Sequence, residues 1–386
     1  MSTIGIVVPP LTGHINPLVP VAETLRKRGH RVVWLLHRRR VGHLIPPDHE
    51  QYGLNESFPD EQEETLKKEA DGTRGLEAFQ FLWERFLIPL GRDMAGQVEE
   101  GIEKLRPDLL IVDQQALGGA VAARRKGISW MTSSTTSAAL IDPFAMVPKV
   151  QEWMLDAFRQ FQLEMGLEPV KRPDFSPSRL LVFSTAEFMG DTNGVPPQAV
   201  FVGPSVVARP QPEAFPMERI ARGDAVLVSV GTLNQERSRR FFQVAADALG
   251  TLSHPVIAIA PPSLLPTWPS NFIVQARIPQ LSILPRCRAV VTHAGHNTVV
   301  EALLHGLPLV VAPIRDDQPV IAGQVVSSGA GVRIHFGRVN PERFRAAVET
   351  VLKDPGYAAA AQRVGNGFRA AGGSEAAADE VEACLP

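Results

Sequence analysis

The residues whose types and spacing could do chemistry fall into two groups. The denser one runs from His293 to Gln318, HAGHNTVVEALLHGLPLVVAPIRDDQ. A strand-like run, Ala289–Thr292, ends at His293, Ala294-Gly295 make a turn, and a helix starts near Asn297-Thr298, both good N-cap residues. A glycine turn opening onto a helix N-terminus seats an anion. The first-turn amides and the helix dipole both favour negative charge, the dipole by roughly 0.3–2 kcal/mol. His293 can add an imidazole donor to a phosphate oxygen. Glu301, four residues after Asn297 on the same helical face, can accept from ribose hydroxyls. Gly306 and Pro308 close the helix, and the loop Asp316-Asp317-Gln318 offers carboxylate and amide groups to hydroxyls. Each residue alone has a plainer use: Asn297 and Thr298 as caps, Glu301 as a solvated helix charge, His296 as a solvent-facing loop residue. The conjunction and its spacing carry the reading.

The second group is His14 and Asp113. His14 follows a first apolar run at the mouth of the first helix, where the positive helix end disfavours imidazolium and suits a base. Asp113 ends the run LLIVD. In a parallel sheet both strand ends point to one side, so Asp113 can hydrogen-bond the imidazole, orient it and stabilise its cation. Taken singly, His14 reads as a packing or capping residue and Asp113 as a helix N-cap.

The elements that must position these groups alternate. Residues 3–9, 31–36, 109–112, 128–132 and 180–183 read as buried parallel strands; 15–28, 56–92, 98–105, 117–126 and 135–170 carry helical sequence. A proline-rich stretch at 202–216 interrupts the pattern. Strands then recur at 225–230, 256–260, 272–275, 289–292 and 308–312, with a helix at 237–249. Strand–helix alternation on both sides of a linker predicts an α/β protein of two doubly wound domains, with ligands at the C-terminal strand ends in the cleft between them. The expected boundaries are an N-terminal domain 1–205, a linker 206–216, a C-terminal domain 217–365, and a helical tail 366–386 packing back on the first domain.

Bulk properties narrow the class. The chain has 386 residues, 44% hydrophobic and 21% charged, with a formal net charge of −2, so no global field draws it to nucleic acid or an anionic membrane. The basic run His37–Arg40 reads as a solvated strand-end loop and leaves peripheral membrane contact open. Two cysteines, Cys287 and Cys384, argue against a disulfide scaffold and suit a reducing cytoplasm. The N-terminus MSTIGIVVPP reads as a strand and not a signal peptide, and no apolar stretch is long enough to span a membrane.

His-x-Gly-x-Asn-Thr-x-x-Glu, followed in register by Gly306, Pro308, Pro313 and Asp317-Gln318, resembles the signature of the family 1, nucleotide-sugar-dependent glycosyltransferases of the GT-B fold. Ile278-Pro279-Gln280 resembles the family's Pro-Gln turn, Ser229–Thr232 its Ser-x-Gly-Ser/Thr loop, and Pro9–Leu18 its catalytic-His loop. The resemblance implies that His293 contacts the α-phosphate and that Gly295, Asn297 and Thr298, with Gly231 and Thr232, hold the diphosphate. Glu301 would bind the ribose, and Asp317 and Gln318 the sugar. Arg277 stands where many members have a base-stacking Trp, and a guanidinium can also stack. His296 stands where many have Trp or Met, near the sugar's reacting face. His14 would be general base, assisted by Asp113.

The expected activity is inverting transfer of a hexose, from UDP-glucose first and a dTDP-sugar as the alternative, onto a hydroxyl of an apolar aglycone such as a natural product, carotenoid or polyketide. No Asp-x-Asp occurs in the chain, so metal independence is expected and no prosthetic group is implied. The acceptor lining would come from Phe79, Trp83, Phe86, Ser133, Ser134, Phe144 and Met146, although an aromatic stripe at helical spacing is more often core than pocket. The rivals are a dTDP-deoxysugar transferase and a non-catalytic helper of the same fold. The protein is expected to be a monomer or weak homodimer.

Overall fold

The computed structural model describes residues 1–56, 65–66, 69, 73, 75–141, 147–207, 215–231 and 235–386, the side chains of 139 and 235–237 aside. Thr232, Phe144, Met146, residues 208–214 of the linker and most of 57–74 therefore lie outside the described residues. The chain divides into two compact units: Met1–Thr185 with Thr192–Val207 and Ala371–Pro386, and Ala186–Asp191 with Ala208–Ala370.

The first unit holds a seven-stranded sheet of β1 (Thr3–Val7), β2 (Arg31–Leu36), β3 (Glu50–Gly53), β4 (Leu109–Asp113), β5 (Trp130–Ser134), β6 (Leu180–Val182) and β7 (Ala199–Phe201). Their order is β3-β2-β1-β4-β5-β6-β7 and every pair is parallel. Both faces are covered, which is why the central strands read as continuous apolar runs. Ile4, Ile6 and Val8 enter one core with Trp34 and Ile111, while Val7, Leu35, Leu110 and Val112 enter the other.

Helix Ser374–Ala383 packs on Leu18–Lys27, adding Ala377, Ala378 and Val381 to the first of these cores. Arg28 fans across it to Glu375, Asp379 and Glu382 at 2.7–2.8 Å.

The expected helix at 15–28 is split, because Asn16-Pro17 separate a turn, Thr12–Ile15, from Leu18–Lys27. His14 thus lies inside the short turn and not at a helix mouth. The separate helix expected at 98–105 is the end of a longer one, Ile88–Leu105, entered through a π-helical segment, Leu82–Leu87.

The second unit holds β8 (Ala225–Ser229), β9 (Val256–Ile259), β10 (Phe272–Gln275), β11 (Cys287–Thr292), β12 (Leu309–Val311) and β13 (Gly331–Arg333), in the order β10-β9-β8-β11-β12-β13, again all parallel. Each sheet starts in its middle and winds both ways. The strand order reverses between β1 and β4 in one and between β8 and β11 in the other. Such reversals leave a crevice at the carboxyl ends of the strands, where doubly wound sheets bind ligands.

Candidate functional site

Both groups of chemically capable residues sit at these reversals. In the first unit Val7 of β1 is in register with Val112 of β4, so the turn after β1 lies beside Asp113. Leu11 N–H closes on the Pro9 carbonyl at 2.7 Å and His14 N–H on that of Leu11 at 3.0 Å, curling the chain back over the strand end. His14 Nδ1 lies 2.9 and 3.0 Å from the two Asp113 carboxylate oxygens. A carboxylate accepts only, so Nδ1 carries the proton and Nε2 of the neutral ring presents a lone pair.

The Asp113 side chain has no exposure, and that of His14 15%. Asp113 does not cap the following helix, Leu117–Lys126, whose N-cap is Ala116. Its Oδ1 accepts instead from Gln115 N–H at 2.9 Å, and its Oδ2 from the Thr135 hydroxyl at 3.4 Å. These two supports are invisible in the sequence: one is a backbone group, the other stands 22 residues away.

In the second unit Ser229 of β8 is in register with Thr292 of β11, which sets the turns after them side by side. The His293 ring is wedged between the two turns. A Cβ on Gly231 would stand 2.9 Å from His293 Nε2, and one on Gly295 2.7 Å, so only glycine fits on either side. Gly231 also has φ +77. Burial pushes the His293 imidazole down to about 4, against a smaller opposing effect of a hydrogen bond to the Ser229 backbone. The ring is neutral at physiological pH and so presents a dipole and not a charge.

Helix His296–Leu304 is capped by Gly295, with no side-chain cap bond. Asn297 and Thr298 therefore lie within the first turn and are not its caps. The reason is Ala294, fully buried at φ +67, which turns the chain one residue earlier than the sequence suggests. The N–H groups of a helix's first turn, together with the helix dipole, suit an anion. His296 is buried at the helix start and not solvent-facing.

Glu301, 1% exposed, is not a solvated helix charge; its Oε2 accepts from Gln280 Nε2 at 2.6 Å, which ties the helix to the Pro279-Gln280 turn. Ile278 is buried beneath that turn and Arg277 is exposed above it. Asp317 sits at the N-cap position of helix Gln318–Ser327 without capping it, and Gln318 begins the helix.

The residues named for an acceptor divide. Trp83 is packed edge-on to Phe158 at 5.0 Å, in a core with Leu87, Leu117 and Phe161. Phe79 and Phe86 are partly buried against the same cluster. These three rings form the packed layer that a core stripe would form. Ser133 and Ser134 are buried at the end of β5, Ser133 directly in register with Asp113. Among the described residues no group of three His, Cys, Asp or Glu side chains could hold a metal, and no helix is long and apolar enough to cross a membrane.

Residues 170–366 match the UDP-glucoronosyl and UDP-glucosyl transferase family. The chain is 29% identical to an uncharacterized UDP-glucosyltransferase, YojK, of Bacillus subtilis, over 96% of this chain and 95% of that one. Among solved structures it is similar to the glycotransferase of kitacinnamycin, with a TM-score of 0.81, 25% identity and coverage of 100% and 99% of the two chains. It shares the fold of the spinosyn rhamnosyltransferase SpnG complexed with thymidine diphosphate, with a TM-score of 0.75, 22% identity and coverage of 99% and 100%. The chain belongs to the UDP-glucoronosyl and UDP-glucosyl transferase family. It is a glycosyltransferase of the GT-B fold.

Proposed function

We propose that this enzyme moves a hexose, with inversion and without a metal, from a nucleoside diphosphate sugar onto a hydroxyl of an apolar small-molecule aglycone, in the cytoplasm. The observation that carries the reading is the His14–Asp113 pair at 2.9 Å, held at one sheet reversal in a chain whose other reversal carries an amide-rich glycine turn.

In this reading His14 Nε2 takes the proton of the acceptor hydroxyl as its oxygen bonds to the anomeric carbon. The carbon–phosphate oxygen bond breaks with its electron pair going to the diphosphate, and Asp113 stabilises the imidazolium through Nδ1. Such a base contributes roughly 10²–10⁴-fold. The amides of the His296–Leu304 helix start and the neutral His293 dipole receive the leaving diphosphate, a preorganised field that needs no cation. Glu301 with Gln280 binds the ribose, and Asp317 with Gln318 the sugar. The similarity to the glycotransferase of kitacinnamycin supports a natural-product acceptor.

UDP-glucose is the first donor, supported by the family match and the YojK relative. A dTDP-sugar is the second reading, favoured by the exposed Arg277 at the base-stacking position and by the thymidine diphosphate complex of the SpnG relative. Hydrolysis assays over UDP- and dTDP-sugars, followed by an acceptor panel read by mass, test both. Turnover of UDP-glucose with attachment of one hexose is expected. No hydrolysis or transfer with any nucleotide sugar would return the chain to a non-catalytic helper.

A further inference from the structure

The turns around His293 present dipoles and no cation: first-turn amides and an imidazole that burial keeps neutral. Dipoles act at contact range. An anion in solution feels full charges much further off, across about 8 Å at physiological salt and about 30 Å at 0.01 M. Full positive charges do stand on the same edge of the second sheet. Arg333 ends β13, Arg338 follows it, and Arg343 lies in the first turn of helix Pro341–Lys353. Arg239 and Arg240 lie in helix Gln235–Leu249, which follows β8. All of these arginines are exposed.

Both helices leave their strands at the carboxyl ends, so their N-terminal halves border the edge that carries Gly231 and Gly295. Arg240 Nη2 donates to the Val339 carbonyl at 3.1 Å, and Phe241 stacks on Phe336 with centroids 4.8 Å apart, which joins the two groups of arginines into one surface. β13 lies three strands from β8, or about 14 Å at the usual strand spacing. Among the described residues Arg239, Arg333, Arg338 and Arg343 have no carboxylate partner, whereas Arg345, further along the same helix, is paired with Glu349 at 2.8 Å. Glu342 is the exposed carboxylate beside Arg343, and Arg315, on the loop after β12, is already paired with Asp316. Arg343 stands at the positive end of its helix, where a cation is disfavoured, so local helix chemistry does not account for it.

We propose that Arg239, Arg240, Arg333, Arg338 and Arg343 form an electrostatic funnel that draws the anionic nucleotide sugar to the second unit from solution. The inference rests on the second unit being the nucleotide-sugar site. Capture and grip are then separate tasks: the arginines set how fast the donor arrives, and the turns around His293 set how long it stays. The funnel reads charge alone, so UDP- and dTDP-sugars are drawn equally and a neutral nucleoside is not.

Arg338→Glu combined with Arg343→Glu reverses two charges of the patch. A carboxylate suits the first turn of a helix, so this variant is expected to melt no lower than the wild type. Arg219→Glu combined with Arg222→Glu makes the same change in net charge on the exposed segment before β8, at the opposite edge of the sheet. UDP and uridine are mixed with the full-length proteins by stopped flow, with calorimetry for affinity. At about 0.02 M salt the patch variant is expected to associate with UDP about tenfold more slowly than the wild type and to dissociate within about twofold of it. At about 0.5 M salt the two association rates should agree within about twofold. Uridine binding, and UDP binding to the Arg219 and Arg222 variant, should show no such loss.

Equal UDP association rates at low salt overturn the proposal. So does a loss that lies in the dissociation rate and persists at high salt, which would make the arginines contacts. A matching loss in the Arg219 and Arg222 variant would assign the effect to net charge and overturn it too. A wild type that binds UDP with no dependence on salt sinks this inference alone; one that binds neither UDP nor UDP-glucose removes the nucleotide-sugar reading with it.

Discussion

The two sheet reversals share a topology and each places a histidine just beyond a strand end, yet the environments are opposite. His14 is paired through Nδ1 to a fully buried carboxylate that also takes an N–H and a hydroxyl. His293 has glycine on both sides, and burial holds it neutral. A ring backed by a fixed negative charge can gain a proton during a reaction. A ring stripped of water without a carboxylate cannot do so near neutral pH. The same topology has thus left one imidazole backed by a carboxylate that would steady a gained proton and held the other neutral, and the difference lies in what stands behind each ring.

The largest test of this contrast removes the acceptor. His14→Ala should lower transfer by about 10²–10⁴-fold while leaving UDP affinity, measured by calorimetry, unchanged; affinity lost in step with activity would erase the distinction between the two sites. Gly295→Ala works on the other ring. Its Cβ would stand 2.7 Å from His293 Nε2, so the ring must move. UDP affinity is expected to fall about tenfold or more, because a hydrogen bond to a charged group contributes about 1.5–3 kcal/mol and would be lost. Unchanged UDP binding would show that His293 does not face the diphosphate.

Acidity gives a third, milder test. An imidazole pushed from 6.5 to about 4 binds its proton more readily unfolded than folded. Stability is therefore full above pH 6.5 and declines as pH falls from 6.5 toward 4. Burial also lowers His305, in the same unit, and adds to the trend. Melts of His293→Gln across this range should decline less steeply than those of the wild type, and parallel curves would count against a neutral His293. The smallest expected effect comes from Ala294→Gly. It relieves φ +67 but frees the unfolded chain and removes a fully buried methyl, so the contributions nearly cancel and stability is expected to move by less than about 0.5 kcal/mol, read as an almost unchanged Tm.

The sequence carried the central strands well, because Thr3–Val7, Leu109–Asp113 and Ala225–Ser229 are short apolar runs buried on both faces. It did not carry β3, β7 or β13, which are short and have partly exposed residues. The His14–Asp113 pairing was legible because a parallel sheet brings both strand ends to one edge. The wedge around His293 was not, since it depends on the register of Ser229 with Thr292, and register is written in no local pattern. The helix start near His296 was misplaced for a similar reason: Asn and Thr are common caps, and nothing local announces that Ala294 will adopt a left-handed turn. The Gln280–Glu301 bond joins residues 21 apart, a separation at which residue type alone says nothing about contact.

The return of Ser374–Ala383 to the first unit has a practical consequence. Arg28 and the core around Leu18 and Val21 are completed by residues that the chain supplies only after the whole second unit has been made. The half of the molecule bearing His14 is thus not a contiguous cassette. A chimera that grafts residues 1–207 onto a relative's second unit would join Arg28 to a foreign helix, and should hold together only when 371–386 is grafted with it. Recombination between relatives would then succeed more often as the replacement of an internal segment than as a single crossover.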